Sequence, residues 1–98
     1  MQAVWTQDEM DAIDDEVNYY TEERLGQIVD GNLAMPGLYL FTIGMISLSF
    51  SKSSYGYVVD LSVVFKDIDR IKVKTFDALL DTIGYLFDNY IGAPGNAY

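Results

Sequence analysis

Residues 57–65 read Tyr57-Val58-Val59-Asp60-Leu61-Ser62-Val63-Val64-Phe65. In an extended chain successive side chains point to opposite faces. Tyr57, Val59, Leu61, Val63 and Phe65 therefore share one side, with Asp60 and Ser62 on the other. A β-branched and aromatic run with this period predicts a strand buried on one face, and hence a sheet. Upstream, Ser51 to Gly56 reads as a turn, and before it 38–50 reads as one long strand. Its first half is apolar on both faces and its second half alternates as Ile46-Ser47-Leu48-Ser49-Phe50-Ser51. The change of phase near Gly44 is read as a bulge or a close backbone approach. Downstream, Lys66-Asp67 turns the chain into a short strand over 68–74, with Ile71 and Val73 inward and Arg70, Lys72 and Lys74 outward.

Helices are expected on either side of these strands. Phe76, Leu79, Leu80, Ile83, Phe87, Tyr90 and Ile91 keep helical spacing, which predicts a helix over 76–91 that starts at Thr75 and is closed by Gly92 and Pro94. Tail 93–98 reads as loose. At the other end Thr6-Gln7-Asp8-Glu9 has the form of a capping box. Met10, Ile13, Val17, Tyr20 and Ile28 then form an apolar stripe, predicting an acidic helix over 7–30 with Gly31 as its C-cap. Gly26 within that span leaves a break there equally tenable. Residues 32–37 read as a connector. The expected fold is α+β in the order α-β-β-β-α, a three-stranded antiparallel meander packed with two helices, in a single domain over 1–98. Double-stranded RNA-binding domains have this order too, but grip phosphates with bases at the start of the last helix. Here that helix opens Thr75-Phe76-Asp77-Ala78, so direct nucleic-acid binding by that route is excluded.

The charge is segregated. Asp8, Glu9, Asp11, Asp14, Asp15, Glu16, Glu22, Glu23 and Asp30 face one base, Arg24, within the first thirty residues, a local net of −8 out of −9 for the 98-residue chain. The remaining residues are close to neutral. Like charges crowded on one surface repel each other, so such a field is not needed for folding and points to a positively charged partner.

The same composition excludes much chemistry. There is no cysteine and no histidine, which removes thiolate chemistry, disulfides, the commonest metal ligand and the usual general base. Asp11-Ala12-Ile13-Asp14-Asp15-Glu16 lacks the spacing and the glycine of a calcium loop. No phosphate-cradling glycine motif and no nucleophile elbow occur. The expectation is a protein without enzymatic activity, cofactor or metal. The start of the chain lacks the pattern of a signal peptide, and the cytoplasm is the expected location. Gly31 to Ser51 runs without a charge, but Pro36-Gly37 breaks it and leaves about fourteen apolar residues, too few to cross a bilayer untilted.

Binding remains. On a helical wheel Asp8, Asp11, Asp15 and Glu22 gather opposite the apolar stripe, flanked by Glu16 and Glu23, and Tyr19 stands near them as an apolar anchor. Carboxylates at such spacing imitate a run of backbone phosphates and suit a basic protein, above all one that binds nucleic acid. A solvated helix face is the bland alternative. In size and charge, without a shared motif, the chain resembles small acidic phage-encoded inhibitors of the anti-CRISPR or anti-restriction type and acidic immunity proteins that block nucleases. That resemblance implies an inhibitor that occupies a basic site. A different reading is an assembly or chaperone-like protein, homodimeric through an uncovered sheet surface at Tyr39, Phe41 and Ile43. A membrane span through 31–51 is a third. The lysines of 70–74 read as guards of an exposed strand edge, or as a dock for an acidic surface.

Overall fold

In the computed structural model, which describes residues 3–92, the chain runs through α1 (Gln7–Leu25), β1 (Asn32–Met35), β2 (Leu38–Ile43), β3 (Ile46–Ser53), β4 (Gly56–Val63), β5 (Lys66–Val73) and α2 (Phe76–Asn89). Tail 93–98, with Pro94, lies outside the described residues. The strands form one antiparallel sheet in the order β1-β2-β3-β4-β5, so each strand pairs with its neighbour in sequence. The fold is α+β, with five strands where three were expected.

Both extra strands arise from turns that periodicity hides. The stretch 38–50 is a hairpin, with Gly44-Met45 as its two-residue loop and Ile43 opposite Ile46. Residues flanking such a loop share a face, which moves the inward set from Tyr39, Phe41 and Ile43 to Ile46, Leu48 and Phe50. That is the phase change expected as a bulge. Gly44 takes a φ of 61°, which glycine adopts freely at the first central position of a hairpin turn. The connector 32–37 contains β1, which pairs with β2 through a bulge between Leu33 and Met35. All four β1 residues are exposed, so no alternation marks the strand.

The turn after β4 is displaced as well. It is formed by Val64-Phe65 and not by Lys66-Asp67, so Val63 pairs with Lys66 and Phe65 leaves the core for solvent. At the N-terminal helix, the Thr6 Oγ1 accepts from the Glu9 N–H at 3.2 Å and the Thr6 N–H donates to Glu9 Oε1 at 2.9 Å, completing the capping box. The helix ends at a left-handed Gly26, whose N–H donates to the Glu22 carbonyl. It does not continue to residue 30, because this cap already satisfies the final turn. Ile28 therefore falls off the apolar stripe and is exposed. The loop beyond is clamped by Asn18, whose Nδ2 donates to the Val29 carbonyl and whose Oδ1 accepts from the Val29 N–H. The last helix opens at its Thr75 cap and stops at Asn89, two residues short of the expected end.

Both helices pack on one face of the sheet. Ile13 and Val17 of α1 and Leu79, Ile83, Leu86 and Phe87 of α2 share one core with the inward rows of β2, β3 and β4. Phe41, Phe50 and Phe87 are fully buried, and each such side chain contributes about 1.5–3 kcal/mol of burial. Trp5 fastens the segment before α1, its indole N–H donating to the Gly37 and Phe50 carbonyls at 3.1 Å each. The expected dimer residues Tyr39, Phe41 and Ile43 are at most 5 % exposed inside this core. They are covered by the chain's own helices and offer nothing to a second subunit. The uncovered face is the opposite one. It carries Thr42, Ser47, Ser49, Asp60 and Ser62 in register, as an antiparallel sheet does on the side it turns to water, with Leu38, Leu40 and Val58 half-buried on the same face. Among the described residues, no helix is long and apolar enough to cross a membrane.

Candidate functional site

The acidic face belongs to a helix held rigidly by its other side. Ile13, Val17 and Thr21 of α1 are buried, and Tyr20 stacks on Phe87 of α2 with ring centroids 5.0 Å apart. At 100° per residue, burying that stripe leaves the opposite side facing water. Asp8, Asp11, Asp15, Glu22 and Glu23 are all exposed there, and Glu16 is half-buried beside them. Tyr19 is 60 % exposed, its ring edge-on to Tyr20. All seven residues singled out from the sequence thus lie on one docked helix.

Lys52 of β3 and Arg24 of α1 itself are already engaged. Lys52, on the inner face of β3, donates from Nζ to Glu9 Oε1 at 2.6 Å and to the Val4 carbonyl. Arg24 pairs with Asp88 of α2 at 2.6 Å and lies over the Tyr20 ring. Among the described residues, no Lys or Arg forms an ion pair with Asp8, Asp11, Asp15, Glu16, Glu22 or Glu23. The basic residues of β5 do not neutralise them either. Lys72 stands opposite Val58 and Arg70 opposite Asp60, on the face turned away from the helices, and Lys66 stands opposite Val63 at the β4–β5 tip.

Two carboxylates of α1 serve the fold. Partial burial pushes the Glu9 carboxyl up, but the hydrogen bonds from Lys52 and Thr6 outweigh it and hold it below the ordinary range. Asp14 accepts from the Tyr39 hydroxyl at 2.6 Å. Burial, and then this hydrogen bond to a negative acceptor, push the Tyr39 phenol far above its ordinary value. Among the described residues, no three acidic side chains converge in a way that could hold a metal ion.

A second feature was missed in the sequence. The β4–β5 loop places Val64 at φ 51° and Phe65 at φ 65°, both left-handed and neither glycine nor asparagine. Two-residue hairpin turns with positive φ at both central positions select Asn-Gly or Asp-Gly. A residue held in this region stores roughly 1–3 kcal/mol, and a β-branched one is a clear outlier. Phe65 is 102 % exposed and Val64 60 %. The adjacent β2–β3 loop adds Met45, also exposed, whose carbonyl accepts from the Val64 N–H at 3.1 Å. The two hairpin tips thus form one apolar end. Beside it a groove of about 510 Å³ is lined by Leu25, Gln27, Ile43, Met45, Val63 and Ile91. The available signal was Val63-Val64-Phe65, apolar on both faces, where alternation demanded a polar residue.

Comparison of the chain with protein-family models, curated proteins and solved structures found no match.

Proposed function

We propose that the protein is a small non-catalytic inhibitor whose α1 face imitates nucleic-acid phosphates and occupies a basic site on a nucleic-acid-binding protein, as anti-defence inhibitors and nuclease immunity proteins do. One observation carries the reading. Among the described residues, the exposed carboxylates of α1 have no cationic partner, while Lys52 and Arg24 are committed to Glu9 and Asp88. The row therefore presents its full charge to the surroundings. Because the helix is docked and capped, its carboxylates are positioned before binding, which lowers the ordering cost of association. A basic groove that sheds counterions on phosphates sheds them equally on such a row, so affinity falls steeply with salt.

The test is a pull-down from a bacterial lysate at low and high salt. It compares the wild type with a variant carrying Asp11→Asn, Asp15→Asn, Glu22→Gln and Glu23→Gln. The expected result is capture of a nucleic-acid-binding protein that is lost with salt and weakened at least about tenfold in the variant. The wild type, and not the variant, then displaces nucleic acid from that protein in a mobility-shift assay. Capture that persists through both changes overturns the proposal.

A further inference from the structure

The two hairpin tips end in an apolar knob with a hollow beside it. Phe65 is 102 % exposed, Met45 76 % and Val64 60 %. Isolated exposed apolar residues are ordinary, but a group of them on a strained turn that Asn-Gly would relax is not. The hollow, of about 400 Å³, is lined by Thr42, Gly44, Met45, Ser47, Val64 and Phe65. Thr42 and Ser47 pair across the sheet face turned away from the helices, so the hollow opens on the side opposite α1. Of the α1 carboxylates only Glu22 borders a hollow at this end, and that one is formed by α1 and the loop after it. Among the described residues, no charged side chain lines the hollow at the tip. The charges that adjoin it along the chain are one of each sign: Lys66 opposite Val63, on the helix side, and Asp67 opposite Ser62, on the outer side. Both are exposed, and neither joins an ion pair among the described residues. Farther along the outer face Arg70 and Asp60 satisfy each other at 3.6 Å.

We infer that this end binds a second copy of the chain, in a two-fold contact in which Phe65 of each copy enters the hollow of the other. Knob and hollow lie in one patch, and a two-fold interface requires a patch complementary to itself. There is room for the ring, since a cavity of about 150 Å³ takes up benzene. The charges fit the same occupant. Turned about the two-fold, Lys66 of each copy comes to the side of the other's Asp67, while the carboxylates of α1 stay on the far face of the sheet. An anionic lipid surface meets one ammonium beside Asp67 on a chain of net charge −9, and a basic protein meets a single unpaired carboxylate. Neither is complemented as a second copy is. The contact does not involve Tyr39, Phe41 and Ile43, which the helices cover. It is also independent of the function proposed above, because Asp8 and Asp11 follow the chain past the Glu9–Lys52 pair at the other end of β3 and stay open to a target. With few residues engaged, the interface belongs to the small class below about 1,200 Å² in total, which forms and parts readily.

The experiment is sedimentation equilibrium of the full chain at physiological salt, from about 1 μM to about 1 mM. The wild type is expected to pass from one copy to two with a midpoint on the order of 10–100 μM. Val64→Asn with Phe65→Gly, a pair the turn accepts, is expected to weaken dimerisation at least about tenfold while circular dichroism shows the fold kept. Lys66→Asp sets like charges of the two copies against each other and is expected to weaken it by about as much; adding Asp67→Lys restores opposite signs and with them the dimer. A photoreactive benzophenone side chain in place of Phe65 is expected to give a covalent dimer, and one in place of Tyr55, at the opposite end of the sheet, is not. A chain that stays monomeric to about 1 mM overturns the inference. So does a dimer that survives the turn variant, because its contact then lies elsewhere. Dimerisation indifferent to Lys66→Asp, or not rescued by the exchange, removes the complementarity that assigns the tip to a second copy. Flotation with phosphatidylcholine–phosphatidylserine vesicles that depends on Phe65 gives the tip to a membrane instead.

Discussion

Tyr39 has two roles in one side chain. Its ring sits in the core edge-on to Phe41, at 5.3 Å between centroids, and its hydroxyl holds Asp14 of α1. Hydrogen bonds to charged groups contribute about 1.5–3 kcal/mol, so Tyr39→Phe should lower stability by that order in a urea titration near neutral pH. The pH dependence has a definite sign. The folded phenol is raised above its ordinary value, so its contribution is complete below pH about 10, where the unfolded phenol is also neutral. Above that the unfolded state loses its proton while the folded state keeps it, and stability falls as pH rises. Tyr20, raised first by burial and then by the Glu16 charge, adds to the same slope. Tyr39→Phe should therefore flatten the alkaline decline without removing it. An equal slope in the variant would show that the phenol ionises alike in both states.

Among elements, α1 tests how local bonds support an exposed surface. Its first turn depends on the Glu9 carboxylate, held by Lys52 and Thr6 and depressed below the ordinary range. That contribution is complete above the unfolded value of 4.5 and is lost as pH falls through the lower folded value. Glu9→Gln should thus be less stable than the wild type near neutral pH and show a shallower acid limb, with helical circular dichroism as the readout. The helices were legible in the sequence because caps are chemical signals: Thr6 with Glu9, and Thr75 ahead of an amphipathic run. The β4 strand was legible through Val59 and Leu61 alternating with Asp60 and Ser62. The strand at 68–74 was legible in the same way through Ile71 and Val73, but the split of 38–50 into β2 and β3, and the strand β1, were not. A Gly-Met loop between apolar strands leaves the run unbroken, and β1 buries nothing to mark a period. The Val64-Phe65 turn contradicts turn propensity outright, because its residues continue the strand pattern. The acidic row was legible because charge is read by counting. The apolar tip was not, because its position depends on a turn that only the tertiary fold imposes.

For the whole molecule, the charge of −9 is a standing stress. The exposed carboxylates of α1 repel one another, and the distance over which they do so falls from about 30 Å at 0.01 M salt to about 3 Å at 1 M. The free protein should therefore melt at a higher temperature as sodium chloride is added. The variant neutralised at Asp11, Asp15, Glu22 and Glu23 should melt above the wild type at low salt and respond less to added salt. A melting temperature that falls with salt would mean that the pairs Lys52–Glu9 and Arg24–Asp88 outweigh the repulsion.

The nearest-neighbour strand order has a consequence in time. Each of the five strands meets its partner across a short loop, so the sheet can zip hairpin by hairpin as the chain leaves the ribosome. The acidic helix emerges before the sheet, but the residues that clasp its final turns, Phe87 stacked on Tyr20 and Asp88 paired with Arg24, follow the sheet. The acidic face of α1 is thus set in place only once α2 has been made, and a chain cut short before α2 carries every carboxylate of the row without the clasp that positions them.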